Sequence, residues 1–125
     1  MIDNKTKQRL YEAAKKARKN AYVPYSDFPL AAALLTKDGK IFTGVNIENA
    51  AYGSTMCAER TAIFKAVSEG YTEFEAMLLL SDTKKPVTPC GACRQVINEF
   101  SKEIDIIMTT YNKDEIVKKN KELLP

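Results

Sequence analysis

Three cysteines in a chain without histidine are the residues best suited to chemistry. Cys57 opens the string C-A-E-R, and Cys90 and Cys93 lie in P-C-G-A-C-R-Q. Three thiolates suit Zn²⁺, and three protein ligands leave the fourth tetrahedral position open for water, as in catalytic zinc sites. A closed structural site would need a fourth protein ligand, which this chain would have to supply as a carboxylate. The cysteines therefore favour a catalytic zinc site.

Glu59, two residues after Cys57, is the candidate proton carrier. A glutamate beside a metal-bound water can take its proton and deliver it to a substrate nitrogen. Side chains two apart on a regular helix point in different directions, so Cys57 must lie at the edge of a helix or Glu59 must bend back. The alternative role for Glu59 is a first-turn glutamate that stabilises the helix dipole.

Both cysteine motifs are predicted at helix N-termini, where free N–H groups and a partial positive charge stabilise thiolates. Each cysteine alone also fits a small buried hydrophobic residue, and C-x-x-C fits a redox dithiol. Together, C-x-E and P-C-x-x-C about thirty residues apart in an α/β pattern match the arrangement of zinc deaminases, including its all-cysteine form.

Two arginines follow the motifs closely, Arg60 in C-A-E-R and Arg94 in C-R-Q. Three thiolates around Zn²⁺ leave a net charge of −1, which weakens the metal as a Lewis acid. Either arginine can offset that charge or form a surface salt bridge instead. We favour charge compensation for Arg60, and both roles stay open for Arg94.

The 125-residue chain is expected to form a single domain, 1–125, with 45% hydrophobic and 28% charged residues. No apolar run approaches membrane-spanning length, and the polar N-terminus has no signal-peptide core, so we expect a cytoplasmic protein. An odd cysteine count argues against a disulfide framework. Residues 1–20 carry seven of the 19 Lys and Arg residues, a pattern that favours a solvated helix face over a nucleic-acid patch.

Hydrophobic periodicity predicts alternating helices and strands. Helices are predicted at 4–20, 55–69 and 90–100, and strands at 30–36, 40–46, 76–81 and 104–109. Asp38-Gly39 between the first two strands indicates a hairpin. Weaker patterns suggest a short strand at 116–117 and one or two helical turns at 119–124. This order predicts an α/β fold, a three-layer α/β/α sandwich with a mixed five-stranded sheet.

Further strings along the chain resemble the small, homotetrameric, zinc-dependent cytidine deaminases of pyrimidine salvage. The matching strings are A-Y-V-P-Y-S-D-F (21–28), G-V-N-I-E-N-A-A-Y (44–52), C-A-E-R-T-A (57–62), K-A-V-S-E-G (65–70), P-C-G-A-C-R-Q-V (89–96) and E-L-L-P (122–125). The resemblance implies a cytidine deaminase-like fold and a Zn²⁺ cofactor bound by Cys57, Cys90 and Cys93. It also implies that Glu59 shuttles protons.

The same resemblance implies roles in substrate binding. Asn46 and Glu48 would hold the ribose 3′-hydroxyl, although by themselves they also fit a polar strand end. Phe28 would stack near the pyrimidine, although an isolated phenylalanine more often belongs to a core. The backbone N–H of Ala58 would contact the base carbonyl O2, and Arg60 would hydrogen-bond the zinc thiolates.

Tyr25 and Tyr52 fall in segments that, in this family, lie near subunit contacts around the active site. Two features depart from the family pattern. Ala31 replaces the usual glycine of F-x-V-G-A-A-L, and its methyl group either narrows the pocket or is harmless. Relatives usually continue past L-L-P to an aromatic residue that reaches a neighbouring subunit's site. If the natural protein ends at Pro125, that lid is absent.

The expected activity is hydrolytic deamination of cytidine and 2′-deoxycytidine to uridine and 2′-deoxyuridine with release of ammonia. The expected partner is a small nucleoside, with neither nucleic acid nor membrane involved, and the resemblance implies a homotetramer with shared active sites. One alternative is a deaminase of another aminopyrimidine nucleoside such as blasticidin S, but intact Asn46 and Glu48 favour cytidine. The other is a non-enzymatic zinc or redox C-x-x-C module, in which Glu59 has no special role.

Overall fold

Five strands and four α-helices make up residues 2–124, the part of the chain that this computed structural model describes. The elements are α1 (Asn4–Arg18), β1 (Leu30–Thr36), β2 (Ile41–Val45), α2 (Ala58–Ser68), β3 (Phe74–Ser81), α3 (Gly91–Phe100), β4 (Asp105–Thr110), β5 (Glu115–Lys119) and α4 (Asn120–Leu123), with a short 3-10 helix at Tyr52–Ser54. Among the described helices, none has the length and apolar surface that spanning a bilayer requires.

The strands form one mixed sheet in the order β2-β1-β3-β4-β5. The β3–β4 pair is parallel and the other three pairs are antiparallel. Parallel neighbours need a crossover connection, which α3 provides, whereas β1 and β2 are joined by a tight turn in which Gly39 has a φ of 92°. The predicted mixed five-stranded sheet and its hairpin are confirmed.

Strand β1 shows why helices cover both faces of the sheet. Successive side chains of a strand point to opposite faces. Ala31, Ala33 and Leu35 pack in a buried cluster with residues of α1. Ala32 and Leu34 pack in a second cluster with residues of α2 and α3. The predicted three-layer sandwich is therefore confirmed, with α1 alone on one side.

The methyl group of Ala31 is fully buried on the α1 side of the sheet. The cysteine-bearing helices α2 and α3 lie on the opposite side. Ala31 therefore does not point toward the cysteines, and its packing supports the harmless alternative. The expectation about Pro125 concerns a residue outside the described range.

Several predicted bounds differ from the observed ones by one to three residues, and two of these differences have a clear physical reason. Helix α2 begins at Ala58 rather than residue 55, because Met56 and Ile47 exchange backbone hydrogen bonds of 2.8 and 2.9 Å that keep this segment extended. Strand β5 spans Glu115–Lys119 rather than 116–117. It is an exposed edge strand, and its charged side chains hide the hydrophobic pattern that marks a buried strand.

Gly44 brings β2 against the first turn of α2. A Cβ atom at this position would lie 2.4 Å from both the carbonyl oxygen of Ala58 and the backbone nitrogen of Ala62. Because both atoms belong to a helix backbone, neither can move aside cheaply. The missing side chain therefore sets the distance between the sheet and the helix that follows Cys57.

We predict that Gly44→Ala destabilises the fold by about 1–3 kcal/mol, as overpacking of a close contact does. The free energy of unfolding should be measured by urea titration. Gly53→Ala is the matched control, because nothing lies within 4 Å of a Cβ at that site, and its effect should stay within about 0.5 kcal/mol. Equal stability of the two variants would contradict the close-approach argument.

Candidate active site

Two of the three cysteines are the residues that precede helices. Cys57 precedes α2 and Cys90 precedes α3, each with extended backbone. The sulfur of Cys90 accepts the backbone N–H of Cys93 at 3.4 Å, in the position where Ser or Asp usually caps a helix. Both motifs thus lie at helix starts, as the sequence predicts.

The three sulfur atoms form one cluster. The Sγ atoms of Cys57 and Cys90 are 3.7 Å apart, those of Cys90 and Cys93 are 3.3 Å apart, and all three lie within 4.8 Å of one another. With Zn–S bonds of about 2.3 Å, tetrahedral geometry needs sulfur–sulfur distances of about 3.8 Å. The donor set therefore fits a zinc ion in both chemistry and size.

Access to the cluster is one-sided. Cys93 is fully buried, Cys57 is half-buried and Cys90 is exposed. Within residues 2–124, the group of side chains close enough to share an ion consists of these three cysteines, without a carboxylate. A fourth ligand would have to come from solvent or substrate, which is the arrangement of an open, catalytic metal site.

Glu59 lies in the first turn of α2 and is only 3% exposed. The Cys93 side chain interacts with its carboxyl group, so the carboxyl group lies close to the cluster. Burial, together with the nearby charge of Cys57, raises the pKa of Glu59 to about 7. Because Cys57 precedes the helix, the two side chains converge although they are two residues apart.

Arg60 supplies positive charge to the same cluster. One terminal nitrogen, Nη2, donates to the sulfur of Cys57 at 3.4 Å. Hydrogen bonds from Cys93 and then from Arg60 lower the pKa of Cys57 to about 5. The pKa of Cys93 is raised in turn by its contact with Cys57 and by burial. The arginine thus favours the thiolate that a metal needs.

Arg94 makes contacts of another kind. Its Nε donates to the carbonyl of Pro89 at 2.8 Å, and its Nη1 donates to the carbonyl of Leu123 at 2.9 Å. No described hydrogen bond or ion pair joins it to a thiolate or a carboxylate. The sequence left two roles open for Arg94, charge compensation and a surface salt bridge. In the described part of the chain, the structure shows direct contact of neither kind, and the side chain bonds two backbone carbonyls instead.

The side chain of Asn46 is buried, and each polar atom of its amide makes one hydrogen bond to the backbone. Its Oδ1 accepts the N–H of Leu30 at 2.9 Å, and its Nδ2 donates to the carbonyl of Phe28 at 2.8 Å. Asn46 therefore fixes the segment that carries the Phe28 ring.

Glu48 holds the preceding part of the same segment. Its Oε1 accepts the backbone N–H groups of Tyr25 at 3.0 Å and Ser26 at 3.1 Å, and its Oε2 accepts a very short hydrogen bond from the Ser26 hydroxyl. These bonds, that of the Ser26 side chain first, lower the pKa of Glu48. These hydrogen bonds therefore favour the ionised form of Glu48.

Phe28 and Ala58 differ in exposure. The Phe28 ring is 41% exposed, so the alternative that places it in the core is wrong. The side chain of Ala58 is fully buried. Ala58 is the first residue of α2, where a backbone N–H has no acceptor within the helix and can serve a ligand.

Two exposed tyrosines border the segment held by Glu48. Tyr25 and Tyr52 are 65% and 91% exposed, and they line an open pocket of about 320 Å³ together with Glu48, Ser26 and Thr55. Large aromatic side chains at this exposure are typical of surfaces that meet a ligand or another chain.

Ser26 is a site residue that the sequence analysis did not single out. Its hydroxyl donates to Glu48 and accepts the backbone N–H of Phe28 at 3.1 Å. The following Asp27 has a φ of 54°, which turns the chain toward Phe28. A serine in a loop is a signal for such a turn, because its hydroxyl can bond the backbone two residues further on.

Comparisons with known proteins agree with this geometry. A family model described as the cytidine and deoxycytidylate deaminase zinc-binding region matches residues 4–110. A cytidine deaminase from Sporosarcina psychrophila is 61% identical over 93 residues, which cover 74% of this chain and 68% of that protein. The crystal structure of cytidine deaminase from Burkholderia pseudomallei superposes with a TM-score of 0.92 at 46% identity, covering 99% of this chain and 98% of that one. A blasticidin-S deaminase from Bacillus cereus is more distant, at 33% identity over 105 residues, which cover 77% of this chain and 74% of that protein.

Proposed function

We propose a reaction for this chain, which belongs to the cytidine and deoxycytidylate deaminase family. It hydrolyses cytidine and 2′-deoxycytidine to uridine and 2′-deoxyuridine with release of ammonia. One observation carries the proposal. Three cysteine sulfurs lie within 4.8 Å of one another, beside the buried carboxyl group of Glu59. A redox dithiol or a structural site has no use for that carboxyl group.

Cys57, Cys90 and Cys93 would hold zinc, the metal of this family. When bound, zinc supplies a Lewis acid that lets water ionise near neutral pH. The thiolates are stabilised by two helix N-termini, and Arg60 offsets part of their charge through its bond to Cys57.

Glu59 would move the protons of the reaction. It accepts a proton from the attacking water and passes it to ring nitrogen N3, while the water oxygen bonds to C4. The proton of the resulting C4 hydroxyl group then moves to the amino group, the C4–N bond breaks, and ammonia leaves as the C4 carbonyl forms. A carboxyl group whose pKa is about 7 can both accept and donate a proton near neutral pH. Burial of Glu59 keeps bulk water from competing for these protons.

Four residues of the 28–58 segment would orient the substrate. We propose that Asn46 and Glu48 bind the ribose 3′-hydroxyl, that Phe28 stacks near the base, and that the Ala58 N–H contacts the carbonyl O2. The exposed ring of Phe28 and the ionised carboxylate of Glu48 support these roles. Holding the nucleoside at fixed orientation lowers the entropic barrier to attack at C4.

We also propose the setting of this activity: pyrimidine salvage in the cytoplasm, on free nucleosides rather than nucleic acid, by a single-domain chain that assembles as a homotetramer with shared active sites. Tyr25 and Tyr52 support the shared sites, because both are exposed beside Glu48. The single sheet that runs through the described residues supports one domain.

Purified protein should contain about one zinc ion per chain. It should also deaminate cytidine, which can be followed by the fall in absorbance as cytidine is converted to uridine. Removing the metal with a chelator should abolish turnover, and added zinc should restore it. Blasticidin S is the discriminating second substrate, and its faster turnover would favour the alternative deaminase. Metal-free protein that deaminates cytidine, or that cycles a Cys90–Cys93 disulfide without deaminating, would contradict the proposal.

We predict that Glu59→Gln retains zinc and lowers kcat on the order of 10²–10⁴-fold, because the amide cannot carry the proton. Zinc content and cytidine turnover should be measured on the same preparation. Glu69→Gln, at the exposed C-terminal end of the same helix, is the matched control and should leave both unchanged. Near-normal kcat in Glu59→Gln would exclude it as the proton carrier.

The ribose assignment is best tested at Glu48, because removing the Asn46 amide would also release the backbone of Phe28 and Leu30. Glu48→Gln keeps an acceptor for the backbone N–H groups of Tyr25 and Ser26 but loses the charge. We predict that the variant has a kcat/KM for cytidine on the order of 10–100-fold below that of the wild type, the value of a charged hydrogen bond. For 2′,3′-dideoxycytidine, which lacks the 3′-hydroxyl, kcat/KM of the variant and of the wild type should differ little. Equal losses on the two substrates would remove the ribose role.

A further inference from the structure

We infer that Arg94 is a positioning residue for the metal site. It hydrogen-bonds the carbonyl of Pro89, and helix α4 in turn holds Arg94 in place. The inference rests on the proposed zinc ligands, since Pro89 directly precedes Cys90. Among the described residues, the guanidinium of Arg94 hydrogen-bonds two backbone carbonyls and none of the three sulfurs. It acts through the polypeptide backbone that carries Cys90 and Cys93.

The segment before Cys90 has few other supports. It belongs to a connection without helix or strand between β3 and α3. Among the described residues, the guanidinium of Arg94 is the only group that hydrogen-bonds the backbone of residues 86–89. Proline itself has no N–H to donate, so its carbonyl is the only backbone group through which residue 89 can be held by hydrogen bonding.

Helix α4 supports Arg94 from two sides. The Leu123 carbonyl accepts from the guanidinium, and Nδ2 of Asn120 donates to the Arg94 carbonyl at 3.1 Å. Asn120 is fully buried, and its backbone N–H bonds the carbonyl of Ile104 at 3.1 Å. The buried Asn120 amide joins α4 to the backbone of α3. Because α4 holds both the backbone and the guanidinium of Arg94, it restricts the positions that the guanidinium can occupy.

The two carbonyls also explain why the residue is arginine. The guanidinium presents several N–H donors in a fixed planar fork, and here Nε and Nη1 serve separate carbonyls. The lysine ammonium is a compact point charge without that fork. Arg94→Lys therefore keeps the charge near the thiolates while losing the geometry, which separates positioning from charge compensation.

The test is zinc affinity, measured by competition with a chromogenic chelator, for the wild type and for Arg94→Gln, Arg94→Lys and Asn120→Ala. We expect both Arg94 variants to bind zinc on the order of 10–100-fold more weakly, the usual cost of removing a residue that orients a metal ligand. Asn120→Ala should weaken binding in the same direction by a smaller factor. The thiolate charge-transfer bands of the Co²⁺-loaded variants should shift as well, because the sulfur geometry changes.

Lys121→Ala is the matched control on α4, since it breaks only an exposed ion pair with Glu103 and should leave zinc affinity unchanged. Wild-type affinity in Arg94→Lys or Arg94→Gln would overturn the positioning role, even if the melting temperature falls. Wild-type affinity in Asn120→Ala alone would overturn the part assigned to α4. Failure of the wild type itself to bind zinc through its cysteines would instead count against the proposed function.

Discussion

Three thiols and a carboxyl group meet at one point of this molecule, and the surrounding structure depends on how the negative charge of their ionised forms is balanced. Three sulfurs lie within 4.8 Å of one another, next to a carboxyl group that is 3% exposed. Repulsion between like charges is strong at such distances in a partly buried site. The N-termini of α2 and α3 and the guanidinium of Arg60 supply positive charge, and on the proposed ligand set a zinc ion would supply the rest. The pKa of Glu59 is raised by burial first, and the charge of Cys57 adds to this effect.

The fold delivers this balance by bringing two helix starts to one place on one face of the sheet. Small side chains make the close packing possible. Ala32 lies under α2 and α3, and Gly44 lets the backbone of α2 approach β2 without a side chain between them. The parallel pair of β3 and β4 requires a crossover, and α3 is that crossover. The position of Cys90 therefore follows from the topology of the sheet as much as from the local motif.

Much of this could be predicted from the sequence because the relevant signals are local. The cysteine spacing, the Asp38-Gly39 hairpin and the buried run of β3 are contained in short segments, and each predicted element is present. The start of α2 was misplaced because a pairing between Ile47 and Met56, nine residues apart, overrides helix propensity. The contacts of Asn46 were missed for the same reason, since its amide bonds residues 16 and 18 positions away.

Arg94 shows most clearly which contacts could not be predicted from the sequence. Its proximity to Cys93 along the chain suggests an electrostatic role, yet its guanidinium reaches a carbonyl 29 residues further on. Pairings of this kind depend on where a terminal helix packs, which no spacing rule encodes. The chemistry of this site was therefore readable from residue types, while the scaffold that orients it was not.

Cys57 and Cys90 are 33 residues apart, and they enter the cluster from different helices. On the proposed ligand set, a bound ion joins these two helices in the folded chain and is released on unfolding, so its binding free energy adds to the stability of the fold. Any ligand that binds only the folded chain adds to its stability in proportion to the logarithm of its free concentration. Metal supply would then govern the lifetime of the polypeptide as well as its turnover. Chains made during zinc scarcity would open more often and be the first that proteases remove.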